Sequence, residues 1–143
     1  MLNTVNHKNL TKEEVVDLLR ARGITPTQQR IDIARILFQR PQHLSADQVL
    51  AAVMADNAHV SKATVYNTLG LFARKRLVRE VIVDPSKVFY DSNTHPHHHF
   101  YNIDSHTLTD IDEQMVSIET LPAPPEDTEL DGVEVIIRVR DKR

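Results

Sequence analysis

Three times in its first fifty residues the chain sets a hydroxyl side chain three positions ahead of a glutamate or glutamine: Thr11 before Glu14, Thr25 before Gln28, and Ser45 before Gln48. In that spacing the hydroxyl accepts a backbone amide one turn on while the longer side chain reaches back, so each pair marks a helix start. Apolar residues at helical spacing follow every start. Val15, Val16, Leu18 and Leu19 lead to a stop at Gly23; Ile31, Ala34, Ile36, Leu37 and Phe38 follow Pro26 at the first helical position and end before Pro41; Val49, Leu50 and Val53 run to Asp56-Asn57. Ser61 to Arg76 forms a fourth, amphipathic helix, with Ala63, Val65, Leu69 and Phe72 on its buried side. Leu77 to Tyr90 then offers two β-branched runs around Asp84-Pro85-Ser86, a hairpin. Helices followed by such a hairpin describe an α+β chain whose residues 1–91 form a winged helix-turn-helix.

The fourth helix exposes Lys62, Thr64, Tyr66 and Asn67 at its start, with Ser61 as its cap. In helix-turn-helix proteins this end of the second helix enters the major groove, where amides, hydroxyls and cations meet base edges and phosphates. Charge agrees with that orientation. Residues 1–83 carry 12 Lys/Arg against 7 Asp/Glu, and residues 84–143 carry 5 against 13, so a net charge of −3 hides a basic half and an acidic half. Arg79 and Lys87 on the hairpin either touch phosphates or serve only solubility.

Directly after the hairpin comes Asp91-Ser-Asn-Thr-His95-Pro-His97-His98-His99, with four of the eight histidines in five residues. In extended chain alternate side chains share a face, so His97 and His99 can address one ion while His98 points away. Neutral imidazole is a common ligand for zinc, iron, nickel and copper, and Asp91 can add a hard oxygen. The chain has no cysteine, which excludes disulfides, thiolate zinc and a cysteine nucleophile. No apolar run approaches the roughly 20 residues that span a bilayer, and the start lacks a secretory core, so a cytoplasmic protein without membrane attachment is expected.

The Ala63-Thr-Val-Tyr-Asn67 helix start, with a histidine-rich segment behind the hairpin, resembles the ferric uptake regulator (Fur) family over nearly the whole chain, closest to its peroxide-sensing (PerR-like) and iron-response (Irr-like) branches. The resemblance implies a homodimeric, metal-responsive transcriptional regulator, a repressor on AT-rich inverted repeats of double-stranded DNA and not an enzyme. It implies that residues 92–143 form a small α/β dimerisation domain, that His43 and Asp110 join Asp91, His97 and His99 as ligands to a divalent metal (Fe2+, Mn2+ or Zn2+), and that Arg22 is a basic DNA contact. His95 and His98 are candidates for a second metal or haem. Where many members carry a Cys-x-x-Cys pair, this chain has Asn102 and Ser105, so the structural cysteine-held zinc is absent and the domain must hold by packing of Phe100, Tyr101, Ile103, Leu108 and Ile111 in strands with a late strand over Val133 to Arg140. A metal across the inter-domain hinge would set the angle between recognition helices. The rival readings are a haem-responsive regulator of the same fold and a non-haem metalloenzyme.

Overall fold

The first capping box folds as the spacing predicts. Thr11 caps α1 (Lys12–Ala21): its hydroxyl takes the Glu14 amide at 3.2 Å, and the Glu14 carboxylate takes the Thr11 amide at 3.1 Å. The helix stops where Gly23 adopts φ 71°, its amide donating to the Arg20 carbonyl and that of Ile24 to Leu19, both at 3.0 Å. That is a Schellman stop, sealed by the buried pair Leu19 and Ile24.

The computed structural model describes residues 10–56, 58–84, 86–95 and 97–143. Met1 to Asn9, Asn57 in the expected helix stop, Pro85 in the hairpin turn and Pro96 in the histidine run lie outside them. Two units separate, one through Thr94 and the other from His95.

In the first unit, α2 (Gln28–Leu37) begins two residues later than expected: Thr27, not Thr25, is the cap, accepting from the Arg30 amide at 3.3 Å. Thr25 and Pro26 stay outside the helix, and the Arg30 guanidinium donates to the Thr25 carbonyl at 2.8 Å, fixing that entry. The residue before a proline is disfavoured in the helical region, which suits Thr25 to the connection. Ser45 caps α3 (Ala46–Ala55) with a complete capping box to Gln48, and Ser61 caps α4 (Lys62–Arg74). The buried stripe of α4 is Val65, Thr68, Leu69 and Phe72. Ala63, expected inside, is exposed, because two residues back along a helix is about 200° around it.

At the end of α4 the same Schellman bonds recur, Arg76 to Ala73 and Leu77 to Phe72, with Arg76 at φ 58°. An L side chain is strained there. Arg76→Gly is therefore expected to stabilise this unit by about 0.5–1 kcal/mol, the relief net of glycine's entropy cost, read as a higher thermal midpoint; a lower midpoint would contradict it.

The hairpin pairs β2 (Arg79–Asp84) with β3 (Lys87–Asp91). Val81 and Val83 face inward and Glu80 and Ile82 outward. At the turn the Ser86 hydroxyl and amide both donate to Asp84, and these bonds hold its carboxyl below the usual carboxylate range. A third strand, β1 (His43–Ser45), pairs with the other edge of β3, giving the order β1-β3-β2. No local pattern marks this strand, because it is three residues long and flush against the α3 cap.

The second unit is a three-stranded sheet in the order β5-β4-β6. β4 (His98–Asn102) runs antiparallel to β5 (Thr107–Ile111) and parallel to β6 (Ile136–Val139). The late strand is shorter than the expected Val133 to Arg140, although amide bonds from His99 to Val135 and from Ile103 to Val139 extend the ladder at each end. Ile103, expected in a strand, sits in the turn and is exposed. His106 closes that turn at φ 58°, its Nδ1 2.9 Å from the Tyr101 hydroxyl. Asn102 and Ser105, the positions without cysteine, form a polar clasp. The Asn102 side chain accepts the Asp104 and Ser105 amides and donates to Asp141 at 2.8 Å, while the Asp141 amide donates to Asp104. Packing is thus supplemented by hydrogen bonds that tie the strand turn to the chain's last residues. Among the described residues no helix is long and apolar enough to cross a membrane.

Candidate metal centre and nucleic-acid interface

Each unit gathers imidazole and carboxylate through strand register. In the first, His43 and Asp91 are direct cross-strand partners of β1 and β3, and cross-strand pairs on one face bring side chains together. His43 Nε2 lies 3.0 Å from Asp91 Oδ2. The other Asp91 oxygen accepts the Asn93 amide at 2.8 Å, which orients the carboxylate where β3 ends. Asp91 is buried, so its charge is costly unless a cation or donors meet it.

In the second unit His99 is the cross-strand partner of Asp110. His97 stands two residues earlier, on the same side of the chain. Both imidazoles present Nε2 to one carboxylate oxygen, Asp110 Oδ1, each at 3.3 Å. Their ring centroids are 4.4 Å apart, and the candidate ligand atoms of these three residues lie within 4.8 Å of one another. His97 Nδ1 meets the His95 carbonyl. A carbonyl can only accept, so Nδ1 carries the proton and the Nε2 lone pair of neutral His97 faces an anionic oxygen. Such an arrangement asks for positive charge, supplied by an imidazolium or by a cation placed between. A backbone carbonyl fixing the tautomer of a ligating histidine is the usual outer support of a metal site.

The distances fit an ion. Two bonds of about 2.1 Å place their ligand atoms about 3.0 Å apart at a right angle and about 3.4 Å apart at the tetrahedral angle. The observed 3.0 and 3.3 Å separations fall in that interval. All donors are nitrogen and oxygen, which suits iron(II), manganese or zinc and not copper(I).

The other two histidines of the run take part in bonds with backbone in different ways. His95 contributes its carbonyl to His97. His98 Nδ1 accepts the Val135 amide at 2.9 Å, which engages the one lone pair of its neutral ring. Coordination of a second metal or a haem by His98 would first have to break that bond to the chain entering β6.

The start of α4 is built from its cap. Ser61 accepts the Thr64 amide at 3.1 Å and its hydroxyl meets the Thr64 hydroxyl at 2.9 Å, so these two side chains organise the first turn. Lys62 and Tyr66, one turn apart, share a face, with the ammonium 5.7 Å from the ring centre. Tyr66 is exposed, and Asn67 is exposed on the neighbouring face. An open groove of about 310 Å³ runs between α2 and α4, lined by Thr27, Gln29, Arg30, Thr64, Asn67 and Thr68. The α2 side of it was not legible as a site, because Gln29 and Arg30 read simply as the polar side of a helix. Arg22 forms the C-cap of α1 and is half-buried. In the hairpin, burial first and then the nearby Glu80 and Tyr66 push the Tyr90 hydroxyl up, keeping it protonated.

A model of the ferric uptake regulator family matches residues 21–134. The chain is similar to the peroxide-responsive repressor PerR of Staphylococcus aureus, 38% identical over 87 residues that are 61% of this chain and 59% of that protein. It therefore spans less than two thirds of the curated relatives it matches. Among solved structures, the ferric uptake regulator from Pseudomonas aeruginosa with manganese has a TM-score of 0.67 at 23% identity, covering 89% of this chain and 97% of that one. The Vibrio cholerae ferric uptake regulator has a TM-score of 0.71 at 19% identity, covering 88% and 98%. At those identities the likeness is one of fold.

Proposed function

Because the chain belongs to the ferric uptake regulator family, we propose that it is a metal-responsive, DNA-binding transcriptional repressor in which one divalent ion is held jointly by His43 and Asp91 of the first unit and His97, His99 and Asp110 of the second. The observation that carries this is the pairing of imidazole with carboxylate in both units, separated along the chain by only residues 92–96. So short a connector, at most about 3.6 Å per residue, keeps the second set of ligands at high local concentration once the first has bound.

Such an ion acts as a clasp. Bound ligands shift an equilibrium only by their preference between states, and an ion needing donors from both units prefers the arrangement that brings them together. In a homodimer that preference sets the spacing of two α4 helices, which is what an AT-rich inverted repeat reads. Lys62, Tyr66 and Asn67 meet base edges and phosphates, Ser61 and Thr64 hold the helix start, and Arg22 adds charge. His97, fixed by the His95 carbonyl, offers Nε2 without reorganisation. The similarity to a peroxide-responsive repressor favours ferrous iron and a peroxide signal over iron supply alone; bound there, ferrous iron would supply the electron that reduces peroxide. A cytoplasmic location follows from the target.

The joint site is tested by manganese titration of the full chain. One ion per chain is expected, and His43→Ala should weaken it by at least about tenfold even though His97, His99 and Asp110 remain, since loss even of a residue that only supports a ligand costs that much. Unaltered affinity in His43→Ala would confine the ion to the second unit.

A further inference from the structure

The recognition face carries a carboxylate that the DNA reading does not use. Asp47, in the first turn of α3, lies 3.6 Å from the Lys62 ammonium, and the same oxygen accepts the Tyr66 hydroxyl at 3.4 Å. Lys62 and Tyr66 are also in contact with each other. One oxygen thus engages two of the exposed α4 side chains near the start of the helix, from 15 and 19 residues away in sequence. A carboxylate early in α3 also favours that helix through its dipole, which by itself would place no demand on Lys62 or Tyr66.

A phosphate drawn to this face competes with Asp47 for Lys62 and is repelled by the carboxylate beside it. Generic duplex offers the same phosphates but base edges in a pattern that does not match these side chains, so little offsets the opposition. A cognate site also offers base edges and thymine methyls to Tyr66, and these compensate for releasing both side chains. Resting on the DNA-binding reading above, we infer that Asp47 is a specificity-determining residue: it withholds Lys62 and Tyr66 from non-cognate DNA and yields them to the cognate sequence. Its effect is on the ratio of the two affinities, not on tight binding as such.

The test uses the manganese-loaded full chain, a random-sequence duplex and a duplex obtained by selection from a random pool. Asp47→Asn keeps the side chain's shape and removes its charge. It should tighten binding to random duplex about threefold to tenfold at low salt and steepen the salt dependence by about 0.9, the slope of one more neutralised phosphate. Binding to the selected duplex should change less, so the preference falls. In a Lys62→Ala background the added slope should vanish. An unchanged preference, or the same gain in slope without Lys62, would overturn the inference and reduce Asp47 to background charge. Wild-type protein that binds neither duplex would overturn the DNA reading itself, and the inference with it.

Discussion

Alanine at both His97 and His99 is expected to lower manganese affinity by at least about 100-fold, or about 2.8 kcal/mol, and to leave DNA binding indifferent to the metal. The magnitude follows from the geometry: both Nε2 atoms sit 3.3 Å from Asp110 Oδ1, so their removal strips the second unit of its nitrogen ligands and leaves a single half-exposed carboxylate. Losing one supporting residue behind a ligand already costs 10–100-fold in metal sites. His99 is fully buried, so competition of the variant with a chelating dye must accompany a far-ultraviolet spectrum showing an intact fold. Retained affinity in a folded variant would remove these two residues from the site.

Phe72→Ala is expected to destabilise the first unit by about 3–5 kcal/mol. Phe72 is wholly buried among the helices, and its carbonyl accepts the Leu77 amide that closes α4. The truncation leaves a cavity beneath the helix that carries Lys62 and Tyr66. Against a total stability of about 5–15 kcal/mol for a domain, this is enough to deplete the folded unit and with it DNA binding. Urea unfolding followed by circular dichroism would show a much lower midpoint at an unchanged slope; a loss under about 1 kcal/mol would mean that Phe72 is not in a packed core.

How much of this was legible in the chain depended on the range of the interactions. Helix starts at Thr11 and Ser45 are decided by four consecutive residues, and both folded as spelled. The second start failed because two hydroxyl residues flank Pro26, and the choice of Thr27 is coupled to Arg30 reaching back to the Thr25 carbonyl. Ala63 is small and apolar, which suggests burial, but the helix period puts it on the side away from Val65. His97 and His99 were readable from spacing together with the nearby Asp91. The association of His43 with Asp91 follows only from the family resemblance, because their pairing rests on a three-residue strand whose partner lies 48 residues on, and no local pattern encodes that register. The role of Asp47 was equally hidden, since it depends on packing α3 against α4.

The most direct measurement is anaerobic binding of a selected duplex by the purified chain with ferrous iron, manganese, zinc or a chelator, with metal content determined on the same samples. A divalent ion acting as the clasp should change DNA affinity by at least about tenfold, equivalent to about 1.4 kcal/mol of coupling, with one ion per chain. Equal affinity in the metal-loaded and chelated samples would contradict it, and would leave the histidine and aspartate pairs as structural ion pairs.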